Sequence, residues 1–289
     1  MGAEGAMKKT IRYINRDLSW IEFNRRVMEE ADDVTNPLLE RLKFVSIVSS
    51  NLDEFVSVRV AGIEDQIKVG YTKMDFTGYT PQGVLKRITK RISHLVQGQY
   101  RIYKDVMREL KKEGVSFSRY NELLPEQQRT ADHYYYEFVF PVLTPMAVDQ
   151  SRPFPLLHSQ SLYLAIVLSG KDCQDSDPCF AIVQVPANLP RYVQVSTPNL
   201  KRKQFILLED LIREHITALF SGYTPQYVGA FRLTRNADLP LDEEGTEDLL
   251  EEIEEKLRRR KWGAPVRLEI ERGFHHYALQ ILQDEFEVE

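Results

Sequence analysis

A short polar segment, Ser49-Ser-Asn-Leu-Asp-Glu54, has side chains that could bind a nucleotide. Asn51 carries both a donor and an acceptor in its amide, so it can hydrogen-bond a base edge or a ribose. Short polar side chains compete for the backbone, and Asp53 and Glu54 favour a helix N-terminus, which predicts a helix break here. Free N–H groups at such a terminus can receive a nucleotide. A capping role and a nucleotide contact therefore both remain open for this segment.

A second candidate is the polar side of a long amphipathic segment, Thr80 to Glu113. Its apolar positions, with Gln99 among them, recur at helical spacing, and Gly114 follows as a C-cap residue. The pattern predicts one helix of about 50 Å at about 1.5 Å per residue. Nine basic residues share its polar side: Lys86, Arg87, Lys90, Arg91, Arg101, Lys104, Arg108, Lys111 and Lys112.

This basic side has two interpretations, a solvated surface or a track for a polyanion. Excess positive charge on one helix attracts phosphate chains in a manner that weakens with added salt. The track hypothesis depends most on four arginines: Arg87, Arg91, Arg101 and Arg108.

Composition and charge limit the classes of protein. The chain has 289 residues, of which 43% are hydrophobic and 28% charged, as in globular proteins. A net charge of −5 argues against sequence-independent binding to nucleic acid. The charge is uneven: residues 1–115 hold 20 Lys/Arg against 16 Asp/Glu, and the remainder holds 18 against 27. This difference predicts two parts with different roles.

Cysteine content and hydropathy bear on the compartment. Cys173 and Cys179 are too few for a disulfide framework and lack a paired metal-site spacing, which predicts reduced thiols. No stretch of about 18 apolar residues predicts a transmembrane segment. We therefore expect a cytoplasmic protein and leave peripheral membrane association open. Phosphate-loop, dinucleotide, zinc-protease and serine-hydrolase motifs do not occur in the sequence.

The first 115 residues have the pattern of helices. Ser19 and Glu22 have the spacing of a capping box, and the apolar face behind it comprises Trp20, Phe23, Val27 and Met28. Asn36-Pro37 has the form of an N-cap residue followed by a first-turn proline, which predicts a second helix start. The N-terminal part is therefore predicted to be all-α.

After Gly114 the pattern changes to short strands between turn residues, with fewer helices. Helices are predicted at 125–139, 209–220, 247–262 and from 274 onward, and strands at 160–168, 180–185, 192–195, 227–234 and 266–270. Thr234-Arg-Asn-Ala-Asp238 is best interpreted as a turn, with Arg235 as an anion ligand the alternative. The second part is thus an α+β domain, and no metal ligand or catalytic residue is predicted in the chain.

Seven stretches together resemble the N-terminal part of the large, multidomain type of bacterial polyphosphate kinase. The stretches are Tyr13-Ile-Asn-Arg-Asp-Leu-Ser-Trp-Ile-Glu-Phe-Asn24, Pro37-Leu-Leu-Glu-Arg-Leu-Lys-Phe44, Ser50-Asn-Leu-Asp-Glu-Phe55, Val58-Arg-Val-Ala-Gly62, Leu143-Thr-Pro-Met-Ala-Val-Asp149, Arg152-Pro-Phe-Pro155 and Thr234-Arg-Asn-Ala-Asp-Leu239. This resemblance implies a multidomain fold, with an all-α helical N-terminal domain at 8–115 followed by an α+β head domain at 116–289. It also implies that the head domain is truncated at its C-terminal edge.

The resemblance also implies a function. The family transfers the γ-phosphate of ATP reversibly to polyphosphate through a phosphohistidine, and its head domain forms a homodimer. Asn51 is similar to the family's asparagine that contacts ATP near the adenine, so ATP is the expected ligand. In the family, the phosphorylated histidine and the Mg²⁺ ligands lie in C-terminal domains that have no counterpart in this sequence. We therefore expect this chain to be inactive unless those domains are supplied in cis or in trans.

Three hypotheses follow. The chain contributes ATP docking and dimerisation to a polyphosphate kinase, or it is a non-catalytic dimerisation or scaffold module. The third hypothesis is a polyanion-binding module that uses the basic helix. No specific nucleic-acid partner is expected.

Overall fold

The structure is a computed structural model, which describes residues 13–148, 154–170, 173, 178–195, 202–237 and 263–288. The chain divides into two compact units, Met1–Val106 and Met107–Glu289. The described part of the first unit is helical, and the second combines two sheets with helices. This architecture confirms the predicted fold class, an all-α part followed by an α+β part.

The first unit is built from consecutive helices, with a loop of residues 69–80 before the last of them, and that helix continues past Val106. Their bounds are α1 Arg16–Asp32, α2 Leu38–Glu54, a π-helical segment Phe55–Val60, α3 Ala61–Lys68 and α4 Pro81–Lys112. Apolar side chains of α4 such as Ile88, Leu95 and Ile102 are buried, as the helical spacing predicts. Gly114 follows α4 with a φ of 85°, a left-handed conformation that favours glycine at a helix end.

A helix does begin after Asn36-Pro37, at Leu38, but the capping side chains predicted for the first two helices are wrong. The side chain of Asn15 accepts from the N–H groups of Asp17 and Leu18, so α1 begins before Ser19 and has no capping box there. Asn36 donates its Nδ2 to the carbonyl of Glu30 at 2.8 Å instead of capping α2. In both places a nearby asparagine makes a different local bond from the one that the spacing suggested.

The predicted break at 49–54 is also wrong, because α2 continues through this segment into the π-helical turn. Val48 and Leu52 are buried on its inner side. Ser49 does not compete with its own backbone, since its Oγ accepts from Gln99 Nε2 at 2.6 Å. Tertiary contacts therefore override the local preference of these residues against a helix.

The second unit contains two sheets. Their strands are β1 Val115–Phe117, β2 Pro145–Val148, β3 Leu162–Gly170, β4 Cys179–Gln184, β5 Tyr192–Gln194, β6 Lys203–Leu207, β7 Tyr223–Arg235 and β8 Pro265–Ile270. The smaller sheet has the order β1-β6-β5, and the larger has the order β2-β4-β3-β7-β8 with every pairing antiparallel. The described helices are α5 Pro125–Tyr134, α6 Leu208–Glu214 and α7 His276–Phe286.

The larger sheet is buried on both faces. Leu164 and Ile166 of β3 pack into one apolar cluster, and Tyr163 and Ala165 pack into another on the opposite face. This alternation follows from the two-residue period of a strand. Residues of α5 and α6 complete the first cluster, and residues of α7 complete the second. The predicted helix at 247–262 lies outside the described residues.

The expectation of reduced thiols is contradicted, because Cys173 and Cys179 form a disulfide. Antiparallel pairing of β3 with β4 places Cys179 opposite Leu168, near the end of β3. The hairpin therefore brings the two Cα atoms to 5.4 Å, a separation suited to a disulfide. The count of cysteines alone could not predict this proximity.

Candidate functional site

Asn51 lies in the last turn of α2, where its side chain is half-buried. Its Nδ2 donates to Asn24 Oδ1 at 3.0 Å, and Asn24 Nδ2 donates to the carbonyl of Val48 at 3.1 Å. Asn24, on α1, has no exposed surface. Among the described residues the Oδ1 of Asn51 has no hydrogen-bond donor, so it can accept from a ligand.

The helix widens immediately after this amide pair. Phe55 begins the π-helical segment and stacks on Trp20 of α1, with ring centroids 4.2 Å apart and planes 9° apart. Within the same segment, Arg59 pairs with Asp17 at 3.0 Å. π-Helical turns occur frequently at functional sites, because they change the direction of side chains that follow. Sequence spacing gave no indication of this turn.

A loop between α3 and α4 is held by Asp75. Burial raises the pKa of its carboxyl, but hydrogen bonds from the Thr77 hydroxyl, the Tyr79 N–H, the Asn15 amide and the Thr77 N–H lower it to about 2. Asn15 Nδ2 lies 2.8 Å from Asp75 Oδ2, which ties the loop to the start of α1. These contacts account for Asp75 as a structural anion.

The arginines of the predicted polyanion track are largely engaged within the protein. The Arg87 guanidinium lies over the Tyr79 ring, 4.2 Å from its centroid. Arg91 pairs with Glu22 at 3.0 Å, and Arg101 pairs with Asp32 at 2.7 Å. Their charge is therefore partly neutralised by internal partners.

Two lysines of α4 and a histidine line a separate groove of about 630 Å³. Lys86, Lys90 and His94 recur every four residues, so they share one side of the helix. The remaining lining residues are Ile67, Gln82, Leu85, Thr89, Ser93 and Gln97. Neither lysine pairs with an acid among the residues that the structure describes. This groove, rather than the row of arginines, offers unneutralised positive charge.

Arg235 is the buried end of β7 rather than part of a turn. Its Nε donates to the carbonyl of Leu157 and its Nη1 to the carbonyl of Gly263, both at 3.0 Å. Burial lowers its pKa. Because the guanidinium already binds two carbonyls, the structure gives no support to a role as an anion ligand. Asp238 lies outside the described residues.

Exposed apolar side chains follow α5, on a π-helical segment Tyr135–Val139 and a 3₁₀ turn Phe140–Val142. Tyr136 and Phe138 are 52% and 54% exposed, and Phe140 and Val142 are also exposed. The preceding side chain, Tyr135, is fully buried in the first apolar cluster. The sequence patterns did not indicate these exposed side chains, although the run of aromatic residues from 134 to 140 exceeds what one face of a helix can bury.

Two further features concern metals and membranes. Within the described ranges, no group of three His, Cys, Asp or Glu side chains is placed to hold a metal ion. The described helices also include none that is both long and apolar enough to cross a bilayer.

Comparison with known proteins identifies two family models and several relatives. The polyphosphate kinase N-terminal domain model matches residues 13–118, and the polyphosphate kinase middle domain model matches residues 126–289. Polyphosphate kinase from Halalkalibacterium halodurans is 50% identical and aligns with 96% of this chain and 39% of its own length. The enzyme from Bacillus cereus is 46% identical, over 98% of this chain and 40% of its own length.

A solved structure agrees with these matches. The crystal structure of polyphosphate kinase from Porphyromonas gingivalis has a TM-score of 0.77 and 27% identity, and covers 96% of this chain and 38% of its own. The chain thus spans about two fifths of the length of the relatives that it matches. Because the middle-domain model alone matches more than half of the chain, the chain belongs to the polyphosphate kinase family.

Proposed function

We propose that this chain is the N-terminal portion of a polyphosphate kinase and that it contributes a contact to ATP through Asn51. One observation carries the proposal: the amide oxygen of the half-buried Asn51, whose NH₂ is held by a fully buried asparagine, has no donor within the described residues. A nucleotide offers N–H and O–H donors that match such an oxygen. Because the proposed ligand, ATP, is a cytoplasmic nucleotide, a cytoplasmic location is part of this proposal.

The chain contributes only part of the chemistry in this proposal. Transfer of a γ-phosphate depends on positioning and on stabilising the charge of the transferred group, for which kinases use metal ions and basic side chains. We assign the phosphohistidine and the Mg²⁺ ligands to the C-terminal domains of the family. The chain alone is therefore expected to bind ATP weakly and to synthesise no polyphosphate.

A chimera tests the role of Asn51. This chain would replace the matching N-terminal segment of the Halalkalibacterium halodurans kinase, and polyphosphate synthesis would be measured at varied ATP. Loss of one hydrogen bond worth about 1.4 kcal/mol raises the KM for ATP about tenfold in Asn51→Ala, with kcat little changed. The matched control is Asn36→Ala, which removes a half-buried amide that bonds to the carbonyl of Glu30 and not to Asn51. An unchanged KM in Asn51→Ala contradicts the proposal and favours a scaffold role.

We also propose that the second unit forms a homodimer through exposed apolar side chains of the helical segment 136–142, Phe138 among them. Burial of exposed apolar area is the main favourable term in most protein association. Sedimentation velocity should show a dimer that Phe138→Asp converts to a monomer. Leu39→Asp, at an exposed apolar position of the first unit, is the control and should remain dimeric. A dimer that survives Phe138→Asp excludes this surface.

Polyanion binding is the second candidate function, and the groove of Lys86, Lys90 and His94 favours it. Binding of polyphosphate to the chain should weaken steeply with added salt, because dissolved ions screen the attraction between the lysines and the phosphates. The double change Lys86→Ala and Lys90→Ala should reduce affinity several-fold. The control, Lys111→Ala with Lys112→Ala, removes the same charge from the same helix outside the groove. Equal losses of polyphosphate affinity in the two double variants would mean that only the overall charge matters, and would contradict binding in the groove.

A further inference from the structure

We propose that Asn24 is a positioning residue that holds the amide of Asn51 with its oxygen outward. Asn51 then accepts a hydrogen bond from the 6-amino group of the adenine base. This inference rests on the proposed nucleotide contact and adds to it the direction of the hydrogen bond and the residue that fixes it.

The direction is set at the buried end by the carbonyl of Val48. A backbone carbonyl can only accept, so the group of Asn24 that lies 3.1 Å from it must be the NH₂. An amide rotated by 180° would place two oxygens against each other in a site with no exposed surface. The identity of the two amide atoms of Asn24 is therefore determined by chemistry, because the network permits one assignment.

The orientation of Asn24 in turn fixes the orientation of Asn51. With its NH₂ on Val48, Asn24 presents Oδ1 to Asn51 at 3.0 Å. Asn51 must turn its own NH₂ inward to donate to that oxygen, which leaves its Oδ1 on the exposed side. Because Asn24 is fully buried, little water competes for these bonds, and both are stronger than at a surface.

An outward oxygen discriminates between bases. Adenine carries an amino donor at position 6, whereas hypoxanthine and guanine carry an oxygen acceptor there. ATP can therefore donate to Asn51 Oδ1, and ITP would place an oxygen against it. Without Asn24, the Asn51 amide can rotate and offer its NH₂ to the oxygen of ITP, so the preference should be lost.

Gln99 provides a matched control. Its Nε2 donates to the carbonyl of Val45 at 2.8 Å and to Ser49 Oγ at 2.6 Å, and its side chain is largely buried. Like Asn24, it is an amide that bridges a neighbouring helix to a carbonyl of α2. It makes no hydrogen bond with Asn51, so Gln99→Leu removes a comparable bridge without removing the proposed positioning contact.

The first measurement is NMR of the Asn51 side-chain amide in this chain. In the native protein one amide proton bonds to Asn24, so its exchange with solvent should be slowed. Asn24→Leu keeps a similar shape but has no acceptor, and exchange should increase at least several-fold, whereas Gln99→Leu should leave it slow. Asn24→Asp is the second variant if Asn24→Leu does not fold: full burial favours its protonated form, whose O–H can donate to the Val48 carbonyl while its C=O accepts from Asn51, so the proton should stay protected. Unchanged protection in folded Asn24→Leu, or equal loss in both leucine variants, overturns the proposal.

The second measurement is the ratio of kcat/KM for ATP to that for ITP in the chimera. We expect about a tenfold preference for ATP in the native sequence, corresponding to one hydrogen bond, and near equality in Asn24→Leu and Asn51→Ala. Gln99→Leu should keep the preference. If Asn51→Ala has no effect on any nucleotide, the nucleotide contact itself fails. If Asn51→Ala acts and Asn24→Leu does not, only the positioning role fails.

Discussion

The two units use their buried polar side chains differently. In the first, three long or amide side chains cross between helices to backbone carbonyls: Asn24 to Val48, Gln99 to Val45 and Arg41 to Ala31. In the second, the larger sheet is buried mainly by aliphatic and aromatic residues on both faces. A sheet satisfies its backbone groups within its own ladder, whereas a helix presents spare acceptor capacity that a neighbouring side chain can use.

This difference explains where a ligand can be recognised. A directional hydrogen bond fixes the orientation of a side chain, while apolar packing constrains its volume and shape. The first unit therefore contains an oriented, partly exposed amide, and the second is suited to rigidity and association. In the second unit, Arg235 makes contacts of the same kind as the first unit's bridges, because it binds two loop carbonyls from a buried position.

The contrast in apolar packing predicts a large loss of stability from a single change in the sheet. Phe231 of β7 is 1% exposed and stacks on Tyr163. Phe231→Ala should lower the free energy of unfolding by about 3–5 kcal/mol, because it leaves a cavity between packed layers. Denaturant unfolding followed by circular dichroism measures this. The counterpart in the first unit, Phe23→Ala on the exposed side of α1, should cost less than about 1 kcal/mol.

Arg235 tests how much a buried polar bridge contributes to the stability of the second unit. Arg235→Met keeps the volume but leaves the carbonyls of Leu157 and Gly263 without this donor, at a cost of about 2–3 kcal/mol in unfolding free energy. Arg232→Met, which removes a partly exposed pair with Glu269, should cost less than about 1 kcal/mol. Equal costs for the two arginines would show that the buried carbonyl contacts add nothing.

The helical unit should respond more moderately to loss of a polar bridge. Gln99→Leu removes its bonds to Val45 and Ser49, so the free energy of unfolding should fall by about 1–2 kcal/mol. The exposed neighbour Gln97→Leu should be within about 0.5 kcal/mol of the native protein. A shift in the KM of the chimera for ATP in Gln99→Leu would contradict the separation of this bridge from the nucleotide contact.

Substitution of Asp75 should have the smallest effect on the free energy of unfolding, and this effect should depend on pH. Its folded pKa of about 2 is below the value of about 3.9 for an unfolded aspartate, so the charged form stabilises the folded state. That contribution is fully present above about pH 5 and is lost as the pH falls through about 4 to about 2. The difference in unfolding free energy between the native chain and Asp75→Asn, below about 1 kcal/mol at pH 6, should shrink over this range. A pH-independent difference would mean that the charge plays no part.

Sequence patterns predicted where the helices lie better than they predicted which side of each helix is buried. The long stripe of α4, Gln99 included, was sufficient to identify its buried side, and Gly114 marked its end. For α1 the predicted apolar face was wrong, because Phe23 is exposed while Asn24 is buried. In a short helix a few apolar residues do not determine which side faces the core, and the partner helix decides.

The candidate site was only partly accessible from sequence. Asn51 was identified through its amide chemistry and the family resemblance, but its partner Asn24 is 27 residues away and joins it through tertiary structure. The predicted helix break failed because Ser49 and Asn51 bond to α4 and α1 instead of to their own backbone. One signal was available: an asparagine at the i+3 position from Ile21 falls on a helix face that must be buried and so requires a partner.

The central claim is that this chain contributes an ATP contact to a reaction whose chemistry needs the C-terminal domains. The most direct test is polyphosphate synthesis by the chain alone and mixed with a separately expressed C-terminal portion of the Bacillus cereus kinase. We predict synthesis only in the mixture, with a KM for ATP that Asn51→Ala raises about tenfold. Synthesis by this chain alone, or a mixture whose KM does not respond to Asn51→Ala, would contradict the account.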